Sequence, residues 1–327
     1  MKIGVVGCGA LGSYYGGRLA HAGHEVHFLL RSDYEAVRAG GVRVQSPGGD
    51  FSFQPRAARD PGEIGVCDLV LIGLKTTANA TFPSLIPPLV GASTAVLTLQ
   101  NGLGNEESLA RFLPADQILG GLCFVCLNRS RPGVIEHLAH GRVVLGEYRR
   151  PDTSRAEFLA GQFLEAGVPC VATPDLRRAH WEKLVWNIPF NGLGVAGVAG
   201  LDAVRRGAWD GNTPLGGCLT TDRLLAEPGW EELVRELMRE VITTANGLRL
   251  GVDPGLEEQH LASTRSMGPY RASTLVDFER GCPLELEALF LEPLRCASAA
   301  GVATPRLESL CRVLTLLDGA RGALPRG

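Results

Sequence analysis

"KIGVVGCGALGSYYGGRLAHAG", Lys2 to Gly23, is the stretch on which the fold turns. Its β-branched apolar start reads as a short strand, "GCGALG" as a tight turn, and "LGSYYGGRLAHAG" as a helix closed by Gly23. Gly7, Gly9 and Gly12 form G-x-G-x-x-G. The first glycine permits the turn, the second lets a pyrophosphate approach backbone amides, and the third lets helix and strand pack closely. The cofactor-binding candidates are therefore Gly7, Cys8, Gly9, Ala10, Leu11 and Gly12. In a chain with 42 glycines the spacing alone says little. Its place, directly after the first strand and opening a helix, is the context a dinucleotide site requires, against the alternative of a plain βα turn.

The next strand, "EVHFLLR", should carry the group that meets the adenine ribose, roughly 20 residues beyond the glycines. NAD enzymes place Asp or Glu there. Here the strand ends on Arg31, a fixed cation suited to a 2'-phosphate, and the first carboxylate is Asp33. NADPH is the expected cofactor, and the alternative is a solvated arginine at a strand end.

Further strand signals follow at α/β spacing: "GVRVQS" and "FSFQPRA" as a hairpin, then "CDLVLIGLK", "STAVLTLQN", "QILGGLCFVCL", "GRVVLGEY" and "VPCVATP". Helical stretches are expected around Ala78 to Leu89 and Glu106 to Leu113. The alternation predicts a Rossmann-type, doubly wound, mostly parallel sheet. Ligands bind such sheets beyond the carboxyl ends of the strands, where "GLKTT" and "LQNGLG" place Lys75 and Asn101. An exposed strand-end lysine and a turn asparagine are the plain alternatives.

After "TPDLRRAHWEK" amphipathic helical patterns take over, notably "EELVRELMREVITTANGLRLG", "ALFLEPLRCASAAG" and "LESLCRVLTLLDGA". The expected organisation is an NADP-binding Rossmann domain over 1–174 and an all-α substrate and catalytic domain over 175–327, with "RRGAWDGNTPLGGCLTTDRLLAEPGWE", Arg205 to Glu231, as an extended loop.

The length, 327 residues with 45% apolar content, suits two cores. Lys plus Arg number 32 against 35 Asp plus Glu, without like-charge blocks, which argues against nucleic acid or an anionic membrane as partner. The start "MKIGVVGCG" lacks a signal-peptide pattern and no apolar run reaches the roughly 18 residues a membrane span needs, so a cytoplasmic protein is expected. The nine scattered cysteines suit reduced, buried thiols and not a disulfide framework. Cys123 and Cys126 form C-x-x-C, but on a strand an odd separation sends them to opposite faces and no second pair completes a zinc site. No metal is expected, and the apolar helices of the second half are compatible with a homodimer.

"WEKLVWNIPFN", Trp181 to Asn191, places Lys183, Asn187 and Asn191 four apart in an otherwise apolar stretch. On a helix they share one face, although Pro189 removes a backbone donor and is expected to kink it. A lysine aimed into a cleft between domains polarises a carbonyl and donates the proton that accompanies hydride transfer, while asparagines hold substrate oxygens. A solvated helix face is the alternative.

Together, "GCGALG", Arg31, "LK" at Lys75, "QNG" at Asn101, the K-x-x-x-N-x-x-x-N row and "STLVDFERGCPLELE" from Ser273 resemble the ketopantoate reductase (2-dehydropantoate 2-reductase) family over nearly the full chain. The resemblance implies NADPH-dependent reduction of a 2-oxo acid, with ketopantoate giving (R)-pantoate in pantothenate and coenzyme A biosynthesis. It implies Lys183 as general acid and Asn187, Asn191 and Ser273 as substrate contacts. It also implies Lys75 and Asn101 near the cofactor, Asn101 also touching substrate, and Glu285 at the active site beside the catalytic lysine. A carboxylate there orients an ammonium group; an ordinary helix-start carboxylate is the alternative. The chain departs from the family pattern at Thr274 and Val276, at Leu286-Glu287, at Leu201 where a polar residue is expected, and in a longer loop from Arg205 to Trp230. These departures leave two rivals: a same-fold reductase for another 2-oxo acid, and a non-catalytic NADPH sensor.

Overall fold

The structure, a computed structural model, describes residues 1–150, 152–211 and 215–320. By contact density the chain divides into two compact units, Met1–Leu176 and Arg177–Gly327. The architecture is the α/β class expected, a doubly wound, mostly parallel sheet followed by an all-α unit.

The first unit contains β1 (Lys2–Val6), β2 (Glu25–Leu29), β3 (Val42–Gln45), β4 (Phe51–Phe53), β5 (Arg56–Ala58), β6 (Leu69–Ile72), β7 (Ala95–Thr98), β8 (Ile118–Arg131), β9 (Val134–Glu147) and β10 (Cys170–Ala172). Its helices are α1 (Ala10–His21), α2 (Tyr34–Gly40), α3 (Pro61–Ile64), α4 (Phe82–Leu85), α5 (Asn105–Leu109) and α6 (Ser154–Glu165). The strands form one sheet in the order β4-β3-β9-β8-β7-β6-β1-β2-β5, with β10 also on β9. Pairing is parallel except at β3/β4 and at the long β8/β9 ribbon. β1 lies between β2 and β6, so the chain departs from it in opposite directions and leaves a switch point at the carboxyl ends.

β1, β6 and β7 read as unbroken apolar runs because helices cover both faces of the sheet. Ile3, Val5, Leu69, Leu71 and Leu97 enter a core with α1 and α6, while Val6, Val70, Ile72 and Val96 enter another with Phe82, Ile86 and Leu109. That division is the period-two alternation of a strand. Gly23, at φ +91°, ends α1 as expected: its N–H donates to Ala20 O at 3.0 Å and that of His24 to Leu19 O at 3.2 Å.

Three expectations change. "FSFQPRA" is two strands, β4 against β3 and β5 parallel to β2, because Pro55 between them cannot donate to a ladder. The stretch from Ala78 to Leu89 is a 3₁₀ turn over Thr76–Thr81, the single turn α4 and another 3₁₀ turn over Pro87–Leu89, since Pro83, Pro87 and Pro88 interrupt α-type bonding. The helix expected over Glu106 to Leu113 is α5, which already ends at Leu109. Cys123 and Cys126 are both buried free thiols, as expected.

The second unit is built from α7 (Leu176–Ala196), which begins at the break, α8 (Leu201–Arg206), α9 (Thr221–Ala226), α10 (Pro228–Gly247), α11 (Leu256–Arg265), α12 (Ser273–Glu279), α13 (Glu292–Ala299) and α14 (Pro305–Ala320). The loop expected over Arg205 to Trp230 holds for the described residues 207–211 and 215–220, while α8 ends at Arg206, α9 spans Thr221–Ala226 and α10 starts at Pro228. Gly207 in the left-handed region caps α8 and Pro228 starts α10; residues 212–214 lie outside the described residues. α7 passes through Pro189 as one continuous helix. Among the described residues no helix is long and apolar enough to cross a membrane.

Glu240 on α10 caps α14 from outside: its carboxylate accepts from the N–H groups of Arg306 and Leu307, each at 2.8 Å. Both donors belong to the first helical turn and have no intrahelical partner. Glu240→Ala is expected to cost about 1–2 kcal/mol, read as a lower urea midpoint with an unchanged slope.

Candidate active site

In the sheet unit the three motif glycines have different reasons to be glycine. A Cβ on Gly7, at φ +94°, would lie 2.2 Å from Leu74 N, and one on Gly12 would lie 2.3 Å from Gly7 O. Both positions are closed by packing. A Cβ on Gly9 would meet nothing within 4 Å. The open position is therefore the one at which a ligand can approach the backbone. Gly9 is also the N-cap of α1, which carries no side-chain cap and no acidic residue in its first turn. The amides of Ala10, Leu11 and Gly12 thus begin a helix whose positive end faces no carboxylate of that turn, a fit to a diphosphate. Ser13 Oγ donates to Cys8 O at 3.0 Å and steadies the turn. The Cys8 thiol points back into the protein, donating to Val5 O at 3.4 Å, and burial pushes its pKa well up. Only its backbone is offered to a cofactor.

Arg31 follows β2, is exposed, and makes no hydrogen bond or ion pair among the described residues. Asp33, the nearest carboxylate, is 6% exposed and is already engaged. It accepts from Arg129 Nη1 at 2.7 Å and Ser32 Oγ at 2.9 Å. A free cation beside a neutralised carboxylate fits a 2'-phosphate better than a 2'-hydroxyl.

Lys75 and Asn101 follow β6 and β7, which are paired in parallel, so both leave the sheet at adjacent carboxyl ends. Lys75 is exposed and opens the 3₁₀ turn; Asn101 is half-buried before two left-handed glycines, Gly102 and Gly104.

In the helical unit, α7 is apolar nearly all round, with Trp181, Leu184, Val185, Ile188, Phe190 and Leu193 buried. That surrounding makes its polar row stand out. Lys183 is half-buried. Asn187 is 7% exposed and has no hydrogen bond to any described residue. Its amide is not among the side-chain atoms buried without a partner, so it keeps access to solvent and can hydrogen-bond a group from outside the protein. Asn191 is 3% exposed, and its Oδ1 accepts from Ser273 Oγ at 3.2 Å and Thr274 N at 3.1 Å. It therefore fixes the start of α12 through Oδ1, and neither bond uses its NH₂. Ser273 is exposed at that start. Glu285, 5% exposed, sits one residue before the helical Leu286 and the π-helical turn Glu287–Leu291, where its carbonyl accepts from Leu289 N at 3.2 Å. Leu201 is half-buried, with Cδ2 directed at Gly229, where an added Cβ would lie 2.7 Å away.

Several residues around these groups carry no sequence signal. Arg129 reaches Asp33 from 96 positions away. The buried Thr221 donates its N–H to Tyr270 O at 3.0 Å and its hydroxyl to Gly268 O at 2.9 Å, tying the start of α9 to the loop that leads into Ser273. Trp186, one position from Asn187, donates Nε1–H to Thr264 Oγ1 at 2.9 Å and lies 5.0 Å from the Phe190 ring centroid.

Comparison with known proteins points the same way in both units. Residues 3–150 match the family described as "Ketopantoate reductase PanE/ApbA", and residues 203–318 match "Ketopantoate reductase PanE/ApbA C terminal". A 2-dehydropantoate 2-reductase of Nostoc sp. is 40% identical over 324 residues, covering 97% of this chain and 95% of that protein. A crystal structure of 2-dehydropantoate 2-reductase from Geobacter metallireducens superposes with a TM-score of 0.87 at 45% identity, covering 97% of this chain and 99% of its own. One from Methylococcus capsulatus gives 0.86 at 35% identity, covering 98% of each chain.

Proposed function

The chain belongs to the ketopantoate reductase family, and on that premise we propose that it reduces a 2-oxo acid to a 2-hydroxy acid with NADPH, the substrate being 2-dehydropantoate and the product (R)-pantoate, on the way to pantothenate. The sheet unit serves as the NADP-binding domain and the helical unit as the substrate and catalytic domain. NADPH, when bound, supplies the hydride that C2 of the 2-oxo acid accepts. Gly7 to Gly12 hold its diphosphate, Arg31 its 2'-phosphate, and Lys75 and Asn101 lie at its reactive end, Asn101 also reaching substrate.

Lys183 polarises the 2-oxo group through its ammonium and transfers a proton to that oxygen as the carbon becomes tetrahedral, which with the hydride completes the alcohol. Asn187, Asn191 and Ser273 hold the substrate's oxygens, and Glu285 orients the Lys183 ammonium. The observation that carries this reading is Asn187, 7% exposed and without a hydrogen bond to any described residue, one helical turn from Lys183 on α7. A reducing, cytoplasmic setting accompanies it, since all nine cysteines are free thiols.

A panel of 2-oxo acids tests the reading, with NADPH consumption followed by its absorbance. Turnover of 2-dehydropantoate well above that of pyruvate is the expected result, and equal turnover would reject the substrate. Leu201 favours the second reading, a reductase for a different 2-oxo acid, because its side chain offers no hydrogen bond where the family supplies one. NADPH bound but consumed with no 2-oxo acid would instead favour the sensor. Light scattering on the same preparation tests the homodimer.

A further inference from the structure

We infer that a hydrogen-bonded line of one hydroxyl and three side-chain amides, Thr98–Gln100–Asn79–Asn105, positions Lys75 and Asn101 for the cofactor, with the half-buried Asn79 as its central positioning residue. Thr98 Oγ1 donates to Gln100 Oε1 at 2.9 Å, Gln100 Nε2 to Asn79 Oδ1 at 2.8 Å, Asn79 Nδ2 to Asn105 Oδ1 at 2.9 Å, and Asn105 Nδ2 to the backbone carbonyl of Asn101 at 3.1 Å. Thr98, Gln100 and Asn105 are at most 5% exposed. Asn79 lies in the 3₁₀ turn that Lys75 opens, and Asn105 begins α5, one residue beyond the turn that Asn101 starts. The line therefore ties together two segments that leave the sheet from different strands and carry the two cofactor-side residues.

Its direction is fixed by chemistry. A backbone carbonyl only accepts, so Asn105 must present its NH₂ to Asn101 and its oxygen to Asn79. Asn79 must then present NH₂ to Asn105 and oxygen to Gln100. Gln100 in turn must present its oxygen to Thr98, whose hydroxyl can donate. No member can rotate its amide without placing oxygen against oxygen. Head-to-tail bonds of this kind polarise one another. The line closes the left-handed turn Asn101–Gly104 from behind, where Gly102 and Gly104 have φ of +82° and +85° and give the backbone no stiffness of their own.

The inference rests on the NADPH reading above, and it is tested by binding and not by turnover. NADPH affinity of the full chain is measured by nucleotide fluorescence, with thermal melting alongside. Asn79→Asp keeps the shape but cannot donate to Asn105, and NADPH affinity is expected to fall by about tenfold. Asn79→Ala, which removes the group without creating repulsion, is expected to act in the same direction. In a Lys75→Ala, Asn101→Ala background, Asn79→Ala is expected to change NADPH affinity no further, because the groups it positions are gone. A merely structural role would weaken binding equally in both backgrounds, and that result overturns the inference, as does wild-type affinity in Asn79→Ala. Failure of the unaltered chain to bind NADPH would instead reject the cofactor reading itself.

Discussion

Lys183→Ala is expected to lower kcat for 2-oxo acid reduction by about 10²- to 10⁴-fold while leaving NADPH affinity unchanged. The separation follows from where the residues lie. The glycine turn, Arg31, Lys75 and Asn101 belong to Met1–Leu176, and Lys183 to Arg177–Gly327. Truncating Lys183 removes the proton donor without touching the diphosphate cradle. Lys183→Arg makes the argument sharper. A guanidinium keeps the positive charge that attracts a 2-oxo carboxylate, but it does not release a proton at any working pH. Substrate KM should therefore change less in Lys183→Arg than in Lys183→Ala, while kcat collapses in both. Asn187→Ala should show the complementary pattern, a raised KM with a smaller loss of kcat, because its role is to hold and not to protonate. Steady-state kinetics of the three variants against NADPH titrations decide this, and wild-type turnover in Lys183→Ala would end the assignment of the acid.

The parts of this site that could be read in the sequence are those set by short-range sterics. Gly7 and Gly12 must be glycine because backbone atoms lie 2.2 and 2.3 Å from their missing Cβ positions, and both constraints arise within one strand-turn-helix unit and the strand beside it. The polar row on α7 was legible for the same reason, since a four-residue spacing becomes a common face without help from distant chain. Pro189 leaves α7 continuous, since a helix buried on nearly every side is held by its neighbours and loss of one donor does not end it. The loop from Arg205 to Trp230 is shorter than its glycines and prolines suggest, because Gly207 and Pro228 are here the end and start signals of helices and Thr221–Ala226 forms α9. What sequence could not supply is pairing over distance. Arg129 meets Asp33 only because the β8 ribbon extends along the sheet, and Asn79 meets Gln100 and Asn105 only because β6 and β7 end side by side. Amides and charges of this kind look like surface residues until the fold brings them together.

Arg31→Ala is expected to weaken NADPH binding by about 10- to 100-fold and to leave NADH binding unchanged. The two nucleotides differ at the 2' position, where NADPH carries a phosphate and NADH a hydroxyl. In an NAD enzyme a carboxylate after the second strand accepts from that hydroxyl and repels the phosphate. Here Asp33 is the only carboxylate among residues 26 to 34, and it is buried, with its oxygens held by Arg129 and Ser32. It therefore has little left to offer a hydroxyl, and its charge is offset before a phosphate arrives. Arg31 then supplies the attraction, and because it is exposed that attraction is screened, so the preference for NADPH should shrink as salt rises. Arg31→Lys keeps a charge without the guanidinium fork and should fall between the wild type and the alanine variant. Titrating both nucleotides against the three proteins at low and high ionic strength measures each step. Equal NADPH affinity in the wild type and Arg31→Ala would move the 2'-phosphate contact elsewhere, with Arg129 the next cation to test: its removal would expose Asp33 and should raise NADH affinity as NADPH affinity falls.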